Sequence, residues 1–266
     1  MPSALHHPLP DQHGPAQGEV WLVGAGPGDP RLLTIAAADA IRAADIIFHD
    51  TLPGPGILQY ARADAQRIDV GKRKGAPSST QSEISTALIA AARAGKRVVR
   101  LKGGDPGIFG RAAEELQALA DAGIAWRILP GVTAASSAAA AAGIPLTLRG
   151  TARAVTFLTG HDLDSRLPEW AQAGDAAGTL VAYMALTKID EVALRLLAAG
   201  RKPSTPVVLV ARASLPGQRV LRTTLGAATL DISRARLPGP ALLIIGEAAG
   251  FQAIPKAQQE RLHARA

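Results

Sequence analysis

Ten short runs rich in Val, Ile and Leu punctuate the chain, and most are apolar at nearly every position rather than at every second one. Such runs suit strands covered on both faces. They predict strands at Val20–Gly24, Asp45–His49, Arg67–Val70, Arg97–Leu101 and Trp126–Leu129. A second set follows at Val155–Thr159, Thr179–Met184, Val207–Ala211, Arg219–Thr223 and Ala241–Ile245. Helical segments with recognisable ends lie between many of them. Pro30–Ala43 follows Asp29, which suits a cap, and Pro30 suits a first helical position. Ser82–Ala94, Arg111–Ala122, Thr133–Ala142 and Lys188–Ala199 each run into a glycine, the usual stop after a helix.

Regular alternation of strand and helix in the first half predicts a mostly parallel sheet. The last strands follow one another across turn signals such as Leu215-Pro216-Gly217, which predicts some antiparallel pairing. The fold class is therefore α/β, with a boundary near Pro130-Gly131. Residues 1–18 read as a disordered leader, 19–131 as an N-terminal α/β lobe, 132–250 as a C-terminal α/β lobe and 251–266 as a tail. A ligand is expected in a cleft between the lobes, at the carboxyl ends of strands. The uncharged stretch Ile128–Leu148 is long enough to raise a membrane question, but Pro130, Gly131, Gly143 and Pro145 divide it into loop, Ala-rich helix and loop.

Composition narrows the chemistry. There is no cysteine among the 266 residues, which removes disulfides, thiolate nucleophiles and Cys-ligated metals and fits a cytoplasmic protein. Aromatic residues make up 3%, too few for a platform that stacks single-stranded nucleic acid. The net charge is +7, and the segment from Arg67 to Lys102 alone holds nine Lys and Arg against two acids. That segment is either a solvated face or the approach for an anionic partner.

Two glycine loops carry the candidate chemistry. The first strand leads into Gly24-Ala25-Gly26-Pro27-Gly28-Asp29-Pro30, and Asp50 lies where a ribose-binding acid of a dinucleotide site would stand. Asp29 occupies the third glycine position of that fingerprint and would repel a pyrophosphate. Pro27 and Pro30 also remove N–H donors. The loop suits a ligand without phosphate, or a bare strand-to-helix turn. The second loop, Lys102-Gly103-Gly104-Asp105-Pro106-Gly107-Ile108-Phe109-Gly110-Arg111, offers close backbone approach, one carboxylate and an apolar wall. That combination suits S-adenosylmethionine, with its positive sulfonium. A turn with Asp105 as a helix cap is the plainer reading.

Five segments in order, VGAGPGDPRLLT, VGKRKG, RLKGGDPGIFGR, PGVTAASSAAAAAGIPLT and VTFLTGH, closely resemble the tetrapyrrole methylase family, and within it the uroporphyrinogen-III C-methyltransferases. The resemblance runs from about Val20 to Glu247. It implies two α/β lobes, a homodimer, and methyl transfer from S-adenosylmethionine to two pyrrole carbons of uroporphyrinogen III. The product would be precorrin-2, which feeds sirohaem and cobalamin synthesis. Carried over by position, Pro27, Gly103, Gly104, Asp105, Ile108, Thr133, Ala134, Met184 and Ala213 match cofactor contacts. Asp50 matches a proton acceptor and Lys72 a proton donor. Without the resemblance, Asp50 also reads as a turn residue and Lys72 as a solvated lysine beside Arg73 and Lys74.

An octacarboxylate substrate gives the basic segment a purpose, with Arg73, Lys74, Arg149 and Arg153 expected on the substrate side. His161 has no companion ligands, and no metal is expected. Neither nucleic acid nor membrane is expected as a partner. At this length no dehydrogenase or chelatase domain is expected beside the methyltransferase. The motif pattern departs at His49-Asp50-Thr51-Leu52-Pro53 and at Leu148, positions that bear on substrate contact. The rival readings are a later precorrin C-methyltransferase, an RNA methyltransferase of the same fold and a non-enzymatic nucleotide-binding regulator.

Overall fold

The apolar runs become ten strands in two five-stranded sheets. The computed structural model describes residues 13–50, 54, 56–71, 80–160 and 178–253. The chain divides into two units, Met1–Ala134 and Ala135–Ala266. The leader through residue 12, Lys72, Arg73, Lys74, His161 and the tail from residue 254 lie outside the described residues.

In the first unit, β1 (Val20–Gly24), β2 (Ile46–His49), β3 (Gln66–Asp69), β4 (Val98–Lys102) and β5 (Trp126–Leu129) form a sheet in the order β3-β2-β4-β1-β5. Every pairing in it is parallel. Connecting parallel strands requires crossovers, and three helices supply three of the four: α1 (Ile35–Ala43), α2 (Gln81–Arg93) and α3 (Ala112–Asp121), while a 3-10 turn at Leu58–Tyr60 lies between β2 and β3. The two faces of the sheet are packed separately. Trp21, Val23, Ile47, Val99 and Leu101 pack with Ala37, Ala40 and Ile41 of α1. Leu22, Ile46, Phe48 and Val98 pack with Ile84, Leu88 and Leu119 of α2 and α3.

Helix α2 starts where its sequence provides a capping box. Thr80 Oγ1 accepts from the Glu83 N–H at 3.2 Å, and Glu83 Oε2 accepts from the Thr80 N–H at 2.7 Å. The segment predicted as one helix from Pro30 to Ala43 is instead two elements. Asp29 caps a single 3-10 turn at Pro30–Leu32, the backbone extends at Leu33, and Thr34 caps α1 through its bond from the Ala37 N–H at 3.1 Å. Two capping signals five residues apart split the helix. The helix expected from Arg111 starts at Ala112, because Arg111 adopts a left-handed conformation at φ 55°.

In the second unit, β6 (Ala154–Thr159), β7 (Gly178–Tyr183), β8 (Pro206–Ala211), β9 (Arg219–Thr224) and β10 (Ala241–Ile245) form a sheet in the order β6-β7-β10-β8-β9. Strands β6 and β7 are parallel, and the three remaining pairings are antiparallel. The Leu215-Pro216-Gly217 turn closes the β8–β9 hairpin, with the Gln218 N–H donating to Leu215 O at 3.1 Å. Helices α4 (Ala134–Ala142), α5 (Ile189–Ala198) and α6 (Ala228–Ala235) complete the set. Leu180, Ala182, Leu209 and Leu243 pack with Val192 and Leu196 of α5 and with Ile232 of α6. Helix α6 has no counterpart among the predicted elements. Its eight residues include Thr, Asp, Ser and Arg, and it buries only Ala228 and Ile232. The uncharged stretch from Ile128 to Leu148 resolves into the end of β5, a loop, α4 and a further loop. Among the described residues no helix is long and apolar enough to cross a membrane.

Candidate active site

Three glycine segments meet at the carboxyl ends of β1, β4 and β5 in the first unit. The loop after β1 and the loop after β4 are zipped together. The Gly26 N–H donates to Gly104 O at 3.1 Å, and the Gly104 N–H donates to Gly26 O at 2.7 Å. The Ala25 N–H also donates, to Lys102 O at 2.8 Å. These donors are therefore engaged by a neighbouring loop and strand rather than presented as a phosphate cradle. Asp29 is occupied as well, because Arg31 grips it at 2.6 Å and holds its carboxyl below the usual range. The dinucleotide reading thus fails on geometry as well as on sequence.

The third segment follows β5. A Cβ on Gly131 would stand 2.3 Å from Gly104 O and 2.9 Å from Gly24 Cα, so only glycine permits this approach. Asp105 fastens the assembly. Its Oδ2 accepts from the Gly131 N–H at 3.0 Å and its Oδ1 from the Gly107 N–H at 2.8 Å. Asp105 caps no helix; it ties two loops together.

Gly104 is different from Gly24 and Gly131. Its φ is 70°, and a Cβ there would meet nothing nearer than Ala134 N at 3.9 Å. It faces open space, which fits a surface a ligand approaches closely. Gly103, Asp105, Ile108 and Pro27 are partly exposed around it, as are Thr133 and Ala134. The fold therefore brings Pro27, Gly103, Gly104, Asp105, Ile108, Thr133 and Ala134 to neighbouring loops of one unit. These residues fit S-adenosylmethionine, offering exposed backbone, an apolar side chain and no phosphate cradle.

Met184 and Ala213 belong to the second unit. Met184 follows β7 directly and is 48% exposed, with φ 53°. Ala213 follows β8 between Arg212 at φ 52° and Ser214 at φ 64°. Among the described residues six that are not glycine have positive φ, and five of them (Phe109, Arg111, Met184, Arg212 and Ser214) lie in or beside the predicted contact segments. Each such residue costs about 1 kcal/mol or more, and strain of this kind gathers where backbone is shaped for a ligand. The hydroxyl of Tyr183 accepts from the Ala135 N–H at 3.3 Å, which connects the end of β7 to the first turn of α4.

Asp50 follows β2, and its Oδ1 accepts from Arg100 Nη2 at 2.5 Å. The sequence reading missed what lies behind it. Arg100 is 3% exposed and Glu115 is fully buried, on β4 and α3 respectively. Glu115 Oε1 accepts from Arg100 Nε at 3.0 Å and from Gln81 Nε2 at 2.9 Å, while its Oε2 accepts from Lys102 Nζ at 2.9 Å. Burial pushes the Lys102 ammonium below the ordinary lysine value, Arg100 adds to that shift, and Glu115 opposes it. One signal was present: Val98, Arg100 and Lys102 alternate onto one face of a strand whose five positions are all buried.

Arg149 and Arg153 are both exposed. Arg149 sits in a turn closed by the Leu148 N–H to Ala152 O bond at 2.9 Å and the Ala152 N–H to Leu148 O bond at 2.7 Å. Among the described residues no group of His, Asp and Glu side chains could hold a metal ion.

A family model for the tetrapyrrole (corrin/porphyrin) methylases matches residues 19–229. Siroheme synthase 1 of Yersinia enterocolitica is 51% identical over 232 residues, covering 87% of this chain and 49% of that protein. A uroporphyrinogen-III C-methyltransferase of Sinorhizobium sp is 47% identical over 240 residues, covering 89% of this chain and 86% of that enzyme. The crystal structure of uroporphyrin-III C-methyltransferase from Thermus thermophilus complexed with S-adenyl homocysteine superposes with a TM-score of 0.75 at 36% identity, covering 87% of this chain and 99% of that one. The chain spans about half the length of the siroheme synthases it matches.

Proposed function

Because the chain belongs to the tetrapyrrole (corrin/porphyrin) methylase family, we propose that it transfers methyl groups from S-adenosylmethionine to two pyrrole carbons of uroporphyrinogen III, giving precorrin-2. The observation that carries this reading is the match to the Sinorhizobium uroporphyrinogen-III C-methyltransferase along most of both chains. The convergence of three glycine segments around the open face of Gly104 supports the cofactor assignment.

When bound, the cofactor supplies an electrophilic methyl group on a positive sulfur. Pro27, Gly103, Gly104, Asp105, Ile108, Thr133, Ala134, Met184 and Ala213 are the residues this reading assigns to holding it. Much of the rate comes from alignment of the pyrrole carbon with that methyl. A methylated pyrrole carries positive charge until it loses a proton. Asp50 stabilises that charge and accepts the proton, and Lys72 acts as the proton donor. Arg73, Lys74, Arg149 and Arg153 attract the eight carboxylates of the substrate. The same reading makes the protein a cytoplasmic homodimer that acts on a free small molecule rather than on nucleic acid or a membrane. Its product would enter sirohaem or cobalamin synthesis.

The deciding experiment incubates the protein with uroporphyrinogen III and methyl-labelled S-adenosylmethionine and weighs the product. Gain of two methyl groups is expected. Folded protein that binds the cofactor but leaves uroporphyrinogen III unlabelled overturns the substrate assignment. Labelling of a later corrin intermediate instead would assign the sister reaction.

A further inference from the structure

The four charges behind the site alternate in sign along a chain of contacts, from Lys102 to Glu115 to Arg100 to Asp50. Lys102, Glu115 and Arg100 are buried beside the apolar layer of Leu22, Leu88 and Leu119, while the Asp50 side chain is 27% exposed. We infer that Glu115 is a positioning residue for the reaction: it anchors Arg100, and Arg100 fixes the Asp50 carboxylate.

The geometry supports this direction of action. The guanidinium is held at three points, by Glu115 Oε1 at Nε, by Leu101 O at Nη1 at 3.2 Å and by Asp50 Oδ1 at Nη2. A planar group fixed at three points cannot turn away from Asp50. Glu115 is itself held by Lys102 and Gln81 from two further elements, β4 and α2. Apolar side chains could fill this layer with equal or better stability, so stability alone does not explain four linked ions. A partly exposed carboxylate at the end of a strand would otherwise sample several rotamers, and a displacement of about 1 Å at a reacting group can cost two orders of magnitude in rate. Lys102 Nζ, bonded to Glu115 Oε2 at 2.9 Å, holds the second oxygen of the carboxylate whose first oxygen holds Arg100.

The inference rests on the reading of Asp50 as the group that serves the reacting pyrrole. A kinetic cycle separates the two. It compares the wild type, the pair Lys102→Met with Glu115→Leu, Asp50→Asn, and all three changes together, with uroporphyrinogen III and S-adenosylmethionine as substrates. The pair removes one buried charge of each sign but leaves Arg100 Nε and Gln81 Nε2 without their Glu115 acceptor, so Tm is expected to fall. Its kcat is expected to fall about tenfold or more, with KM for S-adenosylmethionine within about twofold of the wild type. In the Asp50→Asn background the pair should cost nothing further, because its effect passes through Asp50. Normal kcat in the pair while Asp50→Asn is impaired overturns the inference alone. Near-normal kcat in Asp50→Asn overturns the reading of Asp50 and the inference with it. An undiminished further loss in the Asp50→Asn background assigns Glu115 an independent role and also overturns it. Glu115→Gln, which keeps size and one acceptor, serves if the pair does not fold; a smaller loss of kcat is expected, again absent when Asp50 is Asn. A readout independent of turnover is the crystal structure of the variant that folds, where retention of the Arg100–Asp50 contact would contradict the inference.

Discussion

The carboxylate of Asp105 accepts a hydrogen bond from the backbone N–H of Gly131 at 3.0 Å, joining the loop after β4 to the loop after β5. With its other oxygen held by Gly107, Asp105 acts first on the shape of the site. Asp105→Ala leaves two backbone donors without this acceptor and is expected to cost about 1–3 kcal/mol of stability. It should also weaken binding of S-adenosylhomocysteine, measured by calorimetry on the folded variant. Asp105→Asn keeps one acceptor oxygen and should lose less of both. Wild-type affinity in folded Asp105→Ala would remove this residue from the cofactor site.

Gly131 after β5 and Gly104 after β4 predict opposite profiles for alanine substitution. Gly131→Ala places a Cβ 2.3 Å from Gly104 O, so backbone must move and both stability and cofactor binding should suffer. Gly104→Ala meets no atom within 3.8 Å and carries only the cost of its left-handed φ, about 1 kcal/mol. Its effect should fall mainly on cofactor affinity. Thermal unfolding and calorimetry on the same samples give the comparison. If Gly104→Ala bound cofactor as the wild type does, the open face of Gly104 would not be the ligand surface.

Most of the fold was legible because it is written locally. Runs such as Val20–Gly24 and Val207–Ala211 are apolar throughout, and such runs become strands whichever sheet they join. The capping box of Thr80 and Glu83 is equally local. What was not legible depends on partners far apart in sequence. Arg97–Leu101 was readable as a strand, but nothing nearby indicates that Arg100 meets Asp50, fifty residues earlier, and Glu115, fifteen later. Asp105 read as a charge for the cofactor, or as a cap, because its bond to Gly131 spans twenty-six residues. Helix α6 escaped notice because a short helix with two buried side chains leaves little periodicity to detect. The cofactor residues became legible through ordered motifs rather than through any one loop.

Asp45 provides a stability prediction with a definite pH dependence. Its carboxylate accepts from Arg97 Nη2 at 2.7 Å, from the Arg97 N–H at 2.9 Å and from Arg62 Nη2 at 3.0 Å. These bonds, led by the Arg97 side chain, hold its carboxyl well below the usual carboxylate range. A depressed folded value means that the stabilisation is fully present above the unfolded pKa of about 3.9 and is lost as pH falls through the folded value. Asp45→Asn should therefore cost about 2 kcal/mol at pH 7. The gap from the wild type should narrow steadily once the pH drops below about 4. Urea unfolding across that range measures it, and a gap that did not change with pH would show that charge is not what Asp45 contributes.

Arg149 and Arg153 separate substrate capture from folding, because both are exposed and their neighbouring turn is held by backbone bonds between Leu148 and Ala152. Changing exposed charges of this kind usually moves stability by less than about 0.5 kcal/mol. Arg149→Glu and Arg153→Glu should therefore leave Tm nearly unchanged. If these side chains attract an octacarboxylate, each reversal should raise KM for uroporphyrinogen III several-fold while KM for S-adenosylmethionine stays fixed. The wild-type KM should also rise with salt, since exposed charges are screened over about 10 Å at 0.1 M. That salt dependence should flatten in the double reversal, whose remaining attraction is weaker. Steady-state kinetics between low and moderate ionic strength tests both effects together. A KM that ignored salt in the wild type and ignored both substitutions would take the two arginines out of substrate capture and leave the basic charge to solubility.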